Sequence, residues 1–399
     1  MVAKARKRDT RIDYSSLYRM PWSKNDNPNG WVEITTYCNL SCPGCYRGCD
    51  RKDNDPEHKS LEKIRKEIVE IIRIRNCDTI ALSGGEPLMH PKILEILDFI
   101  SNQGVYSTIY TNGRILDKKL LLKLRKAGLD GLIIGLDSLK EPEKKSSEKE
   151  LNRRREELAG LVYDVGDIQL KFIAGVNSSN FDQVPDIIRW VRKDARVDGL
   201  ILIPIKEVVF DPREKKKDDS IDYFDLYDSV KASFPDLRFS AFLGSSKENL
   251  KAKWLFSFWF EIDGEILGYF DSRAMEIAQV FYHMKNGRYP YLTNKEDHYL
   301  PLRYLVFFSI MNRGTRKILY RYISKVLRNP LNLFRSIHLK IMIMLNAPGF
   351  VDGERDLCDS CPDATLHEGV LVSSCIMEEV KRYGKPYYRG DKSGSAGSD

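Results

Sequence analysis

From Trp31 onward the chain alternates two patterns. Short apolar runs rich in β-branched residues give way to longer stretches in which apolar positions recur every three or four residues. The first pattern is that of strands and the second that of amphipathic helices. Strands are predicted near Trp31–Thr36, Thr79–Ser83, Tyr106–Thr111, Gly131–Leu136, Ile168–Val176 and Gly199–Ile203. Helices are predicted near His58–Arg75, Pro91–Gln103, Asp117–Ala127, Lys149–Val165, Phe181–Lys193 and Ile221–Phe234, with Asp117 and Asn180 as helix-start signals. Six βα units in succession predict an α/β fold, a partial (β/α)6 TIM-like barrel. An open doubly wound sheet would carry the same periodicity.

Past Pro235 the regularity changes. Glu261–Leu267 reads as a hairpin around Asp263-Gly264. Residues 301–346 read as helical and basic, and 348–376 as short Gly- and Cys-bearing segments. The expected organisation is an N-terminal extension (1–30), a barrel (31–240), a bridging region with a hairpin (241–300), a basic amphipathic α-rich segment (301–347), a small Cys-rich C-terminal module (348–389) and a disordered Gly/Ser-rich tail (390–399).

Charge sharpens this picture in one place. The net charge of the 399 residues is +7, yet no Asp or Glu lies between Asp297 and Asp352. That gap holds Arg303, Arg313, Arg316, Lys317, Arg321, Lys325, Arg328, Arg335 and Lys340, nine positive charges, so the remainder sums to about −2. On a helix from Ile318 to Arg328, Ile318, Leu319, Tyr322, Ile323, Val326 and Leu327 share one half-circle, and Lys317, Arg321, Lys325 and Arg328 the other. Such a segment either packs on the barrel with a solvated basic face or meets a membrane surface or lipid. Its bulky aliphatics favour lipid over nucleic acid, which is not expected as a partner. No run approaches the ~18 apolar residues of a spanning helix. Basic Met1–Arg11 is followed by no apolar h-region, so no signal peptide is expected. The expected location is cytoplasmic, peripheral at a membrane where the basic segment engages one.

Eight cysteines fall in two tight groups, with Cys77 apart as a small buried hydrophobe. Tight clusters in a long chain read as metal ligands rather than disulfides. Cys38, Cys42 and Cys45 form a CxxxCxxC loop where the first strand ends. Three thiolates on one loop can bind three irons of a [4Fe–4S] cube and leave the fourth open. Cys49 adds a fourth thiol. It is either a spare thiol or the fourth iron's ligand, and in the second case the site would be a non-catalytic electron carrier or regulator. Polar residues also stand at the later strand ends: Gly84, Gly85 and Glu86 within Ser83–Pro87, then Asn112, Asp137 with Ser138, and Asn177. Strand C-termini are where barrel active sites are built. The second group, Cys358, Cys361 and Cys375, has C-x2-C-x13-C spacing around Gly369–Val372.

The loop and the ordered polar strand ends over residues 31–205 resemble the radical S-adenosylmethionine (SAM) superfamily. That resemblance implies a [4Fe–4S] cluster on Cys38, Cys42 and Cys45, SAM on its open iron, and reductive cleavage of SAM to a 5′-deoxyadenosyl radical that abstracts hydrogen. It implies that Gly84, Gly85 and Glu86 receive the methionine end of SAM, Glu86 accepting from its ammonium, and that Asn112, Asp137, Ser138 and Asn177 line the SAM pocket. It also implies a reductant such as a ferredoxin or flavodoxin. The C-terminal cysteines resemble, in part, SPASM and twitch extensions that hold a second Fe–S cluster. A zinc site with His367 as fourth ligand is the competing reading. Two substrate classes follow: a lipid or isoprenoid chain, from the basic segment, and a peptide, from the SPASM-like tail. The catalytic acid or base is not legible in the sequence.

Overall fold

The computed structural model describes residues 11–43, 45–51, 56–140, 144–205, 220–247 and 251–385. The tail expected at 390–399 lies outside them. The strands are β1 (Tyr18–Arg19), β2 (Asn29–Thr35), β3 (Thr79–Gly84), β4 (Tyr106–Thr111), β5 (Gly131–Gly135), β6 (Gln169–Val176), β7 (Gly199–Pro204), β8 (Ala241–Gly244), β9 (Ala252–Ile262), β10 (Glu265–Tyr269), β11 (Tyr299–Leu300), β12 (Ile337–Leu345), β13 (Gly349–Val351), β14 (Glu354–Asp356), β15 (Ala364–His367) and β16 (Val370–Ser373). The α-helices are α1 (Leu61–Arg75), α2 (Ile93–Asn102), α3 (Lys118–Lys126), α4 (Glu148–Val165), α5 (Val184–Lys193), α6 (Tyr223–Ser233), α7 (Ser272–Asn286), α8 (Leu302–Met311), α9 (Arg313–Arg328) and α10 (Met377–Tyr383).

Strands β2 to β7 pair in order and in parallel, with α1 to α5 as their crossovers, as the six βα units predict. Local chemistry sets the helix starts. Ser60 and Asp117 accept from Lys63 N and Leu120 N, and Ser147 with Glu150 forms a reciprocal capping box. Asn180 does not cap the following turn; its amide donates to Glu148 Oε1 and to Gly175 O instead. Two apolar layers result. One lies under the helices, with Ile68, Leu97, Leu124, Leu158 and Ile188. The other fills the concave face, with Ile133, Ile201, Trp254, Phe256, Phe258 and Ile341.

The sheet does not end with the sixth unit. Beyond β7 it continues through β12, β9 and β8 to β1, so the region expected to be a bridge is part of the same sheet. The β9–β10 hairpin turns at Asp263 (φ 50°) and Gly264 (φ 77°), the pair of positive φ values that a two-residue type I′ loop requires. The helical reading of 331–346 is corrected. After α8, α9 and a short 3-10 turn (Pro330–Phe334), Ile337–Leu345 forms β12, parallel to β7 and antiparallel to β9. Ile337, Leu339, Ile341 and Ile343 face the concave core, while Met342 and Met344 join the layer under the helices. Lys340 is therefore no surface charge: it is buried and paired with Glu261 at 2.9 Å.

The C-terminal module ties together both ends of this open sheet. On the β2 side Arg75 donates to Cys361 O at 2.8 Å, and Asn29 donates to Pro362 O and Asp363 Oδ1. On the other side Lys253 pairs with Asp356 at 2.8 Å, Ser245 bridges to Cys358, and Arg19 pairs with Asp359. The buried pair Arg355–Glu379 holds α10 against the module.

Candidate functional site

A cavity of about 390 Å³ opens at the C-terminal ends of the parallel strands. Cys38, Cys42, Cys45 and Cys49 line it from the loop that follows β2. Gly84 and Gly85 line it after β3, Asn112 after β4, Asp137 after β5, and Ile203 to Ile205 at the end of β7. Strand order thus gathers onto one wall residues that lie far apart in sequence.

The glycines hold their position by close approach. A Cβ on Gly84, whose φ is +128°, would lie 2.1 Å from Thr35 O, and one on Gly85 would lie 2.2 Å from Tyr37 O. Gly85 N and Glu86 N donate to those same two carbonyls at 2.8 and 2.7 Å. The end of β3 is thereby zipped to the start of the cysteine loop. Glu86 behaves differently from expectation. Its carboxylate accepts from Leu88 N and Thr111 Oγ1 on one oxygen and from Asn112 N at 2.8 Å on the other, and it lies behind the cavity wall. Burial pushes its pKa up against those donors. Glu86 therefore positions Asn112, whose amide in turn donates to Asn39 Oδ1 of the cysteine loop at 2.7 Å.

Asp137 is buried and lines the cavity, accepting from Gly175 N at 3.0 Å. Burial raises its pKa, and the nearby Lys140 ammonium opposes that rise. Ser138 and Asn177 are not among the lining residues. Ser138 N and Oγ both donate to Glu148, itself buried against Arg155, and Asn177 closes a local turn by accepting from Ser179 N. Lys140 escaped the sequence reading. It reaches back so far that a Cβ on Gly135 would stand 2.1 Å from its Nζ, and it lines the cavity with Cys42 and Asp137, its charge also felt by Glu86 behind the wall. Its signal was Gly135 at a strand end, five residues upstream.

The thiols differ in setting. Cys49 hydrogen-bonds both Cys38 and Cys45, which lowers both, Cys45 to about 6. Burial pushes Cys42 up to about 11. Arg47, between Cys45 and Cys49, is buried with its Nη1 3.0 Å from Glu33 of β2 and 2.6 Å from Glu378 of α10. That guanidinium joins the loop to the C-terminal module. Cys77 is fully buried beneath Gly30, as a hydrophobe.

One thiol of the second group reaches the same cavity: Cys375 lines it with Arg355, Asp363 and Ser374, while Cys358 and Cys361 do not. Cys358 donates to Cys361, which holds Cys361 down at about 7. Cys361 and Cys375 flank the open end of the β15–β16 hairpin, where Ala364 pairs with Ser373. His367 sits at the closed end, opposite Val370. Three residues of strand separate the two ends by about 10 Å. His367 is thus misplaced for a zinc site shared with these cysteines.

The far walls are apolar: Trp31 packs on Tyr110 with centroids 4.6 Å apart, and Ile133, Ile173 and Ile201 continue the surface. The arrangement offers thiols for soft metal ligation, a cation and an acid for a zwitterionic ligand, and an apolar floor.

Comparison with known proteins agrees with this chemistry. The Fe-coproporphyrin III synthase of Methanosarcina barkeri is 29% identical over 122 residues, 31% of this chain and 30% of that protein. The PqqA peptide cyclase of Bradyrhizobium diazoefficiens is 27% identical over 162 residues, 40% of this chain and 41% of that protein. The chain thus spans less than half the length of either relative. Among solved structures, Streptococcus suis SuiB bound to S-adenosylmethionine aligns with a TM-score of 0.41 and 18% identity, covering 52% of this chain and 47% of that one. Residues 32–191 of this chain, the stretch that carries the cysteine loop and the polar strand ends, match the Radical SAM superfamily.

Proposed function

We propose that this chain is a radical SAM enzyme whose Cys38, Cys42 and Cys45 hold the [4Fe–4S] cluster, with SAM in the adjoining cavity. The observation that carries the reading is that all three thiols open onto one cavity with Gly84, Gly85, Asn112, Asp137 and Lys140. The donor set fits: soft thiolates for iron, and an ammonium and a carboxyl for the two ends of an amino acid. The cluster and SAM, when bound, supply reductive cleavage of SAM and a 5′-deoxyadenosyl radical that abstracts hydrogen. The chain's own residues position and shield. Gly84 and Gly85 keep β3 against the cysteine loop, Asn112 fixes that loop through Asn39, and Lys140 and Asp137 orient the polar end of the ligand. Trp31, Ile133, Ile173 and Ile201 exclude water from the hydrogen-abstraction region. Electrons come from a reductant such as a ferredoxin or flavodoxin.

The apolar floor suits an unactivated C–H bond on a lipid or isoprenoid chain. A second reading, a peptide substrate, is favoured by the Cys375 side of the cavity, where the C-terminal thiols would hold a second Fe–S cluster, and by the PqqA peptide cyclase likeness. The test is anaerobic: reconstituted, dithionite-reduced protein is expected to convert SAM to 5′-deoxyadenosine and methionine, and Cys42→Ala to abolish this. Absence of cleavage with a filled cluster overturns the enzyme reading in favour of an electron carrier.

A further inference from the structure

The helical insertion between β11 and β12 stands apart from the cavity. β11 pairs with the first residues of β12, Tyr299 with His338 and Leu300 with Ile337, whereas Leu345 at the other end of β12 lines the cavity. Eight residues of strand separate those ends by about 26 Å. The 3-10 turn that follows α9 leads through Arg335 and Ser336 into the first residue of β12, so the insertion's chain ends sit at the end of that strand away from Leu345.

On α9 the core side is Thr315, Ile318 and Tyr322. The opposite side divides into two stripes. At 100° per residue, Tyr320, Ile323 and Leu327 form one, and Arg313, Lys317 and Arg328 lie beside it. Leu327 is 79% exposed, and its neighbours carry the pattern on: Ile310 at the end of α8 is 75% exposed and Phe334 after α9 is 85% exposed. The half-circle expected from the sequence is thus split, Ile318 and Tyr322 inward and Ile323 and Leu327 outward.

The nine positive charges also divide. Lys340 is buried with Glu261, Lys325 pairs with Glu265, Arg335 with Asp263, Arg321 donates to Leu267 O, and Arg303 lies over Tyr304. Arg313, Arg316, Lys317 and Arg328 have no acidic partner among the described residues, and all four lie on α9. Exposed aliphatic and aromatic side chains beside unpaired cations, with no acid from 298 to 351, complement an anionic bilayer surface. Among the described residues no helix is long and apolar enough to cross a membrane, so contact here would be by lying on the surface.

We propose that α8, α9 and the turn at Pro330–Phe334, none of which lines the cavity, form a docking face for anionic membrane surfaces. Phe334 and Leu327 enter the headgroup boundary, and Arg313, Lys317 and Arg328 meet the phosphates. Because the face and the cavity share no lining residue, docking localises the enzyme without requiring its substrate to be a lipid. The proposal is independent of the radical chemistry, and its test needs no cofactor.

The experiment is flotation of the full chain with vesicles of phosphatidylcholine alone or with 30% phosphatidylglycerol, at low and high salt. The wild type is expected to float with the anionic vesicles only, and less so at high salt. Reversal of Arg313, Lys317 and Arg328 to Glu is expected to weaken partitioning by at least about tenfold. Phe334→Ser with Leu327→Ser is expected to weaken it without removing the salt dependence. Circular dichroism of each variant checks folding, and these side chains, being exposed, are expected to leave it unchanged. Failure of the wild type to float, equal flotation on both vesicle types, a stable dimer that hides the face, or unchanged flotation of folded charge-reversed protein would each overturn the proposal.

Discussion

Arg47 gives the sharpest test of how the cysteine loop is held. It lies two residues past Cys45, 2% exposed, with Glu33 of β2 at 3.0 Å and Glu378 of α10 at 2.6 Å. Its contacts with both carboxylates are close but not in line as hydrogen bonds, so the attraction is chiefly charge on charge. Arg47→Gln leaves two carboxylates in a site that water scarcely reaches. Removing one partner of a buried pair costs about 3–5 kcal/mol, because the remaining charge is uncompensated. That is a large share of the 5–15 kcal/mol typical of whole domains. The assay is anaerobic urea unfolding of the cofactor-free chain, with bound iron counted separately after reconstitution. Arg47→Gln is expected to lose stability of that order and to retain less iron, since the loop loses its tie to β2 and α10. The triple variant Arg47→Met, Glu33→Gln, Glu378→Gln is expected to be more stable than Arg47→Gln alone, because no buried charge is left over. A single variant that loses under about 1 kcal/mol, or a triple that is no more stable than the single, refutes this account.

Other perturbations address the site and its pH response. Gly85→Ala would drive a Cβ into the Tyr37 carbonyl at 2.2 Å, so 5′-deoxyadenosine formation is expected to fall about 10²-fold in a folded protein, whereas helical Gly160→Ala is expected to be nearly neutral. Because Cys49 hydrogen-bonds the Cys38 and Cys45 sulfurs, Cys49→Ala is expected to keep iron and SAM cleavage but shift the cluster midpoint, read by EPR, to a more negative potential; Cys49→Ser, which keeps a donor, should shift it less, and loss of iron in both would make Cys49 a ligand. His298 is buried and its pKa is lowered to about 4, chiefly by desolvation. The unfolded chain then binds more protons between about pH 6.5 and 4, so this residue's contribution to stability is present above 6.5 and is lost as pH falls, by up to ~3 kcal/mol. His298→Gln should flatten that slope in urea titrations; an unchanged slope would mean that the ring is already protonated, donating to both Leu339 O and Leu292 O.

The parallel strands were legible because each βα unit carries its own local signal. Apolar runs such as Thr79–Gly84 end at a polar residue, and caps such as Ser60 and Asp117 mark the next helix. The first thiol loop was legible for the same reason, since its spacing is local. What escaped depends on partners distant in sequence. β12 reads as a continuous apolar stretch with a basic residue because it is buried on both faces, and Lys340 suggested a surface only while Glu261, 79 residues earlier and on the paired strand, was unknown. The alternation of Ile337, Leu339, Ile341 and Ile343 was the period-two signal available. Glu86 escaped differently. Its carboxylate accepts from Asn112 N, one strand away, a partner that its place after two glycines does not announce.

The same dependence on tertiary pairing separates two meanings of the basic segment. In sequence, nine cations without an acid form one feature. In the fold three of them pair with carboxylates, Arg321 donates to a backbone carbonyl and Arg303 lies over a ring, and the four with none of these contacts among the described residues all fall on α9, beside Ile323 and Leu327. Net charge alone could not have made that distinction, because Coulomb attraction to a distant anion counts only charges that no nearby carboxylate already neutralises. Position then decides what those charges can act on. None of the four lines the cavity, whereas Lys140 and Asp137 do. Under the proposed function Lys140 and Asp137 act on a ligand in the cavity, and under the docking proposal the α9 charges act on an anionic surface.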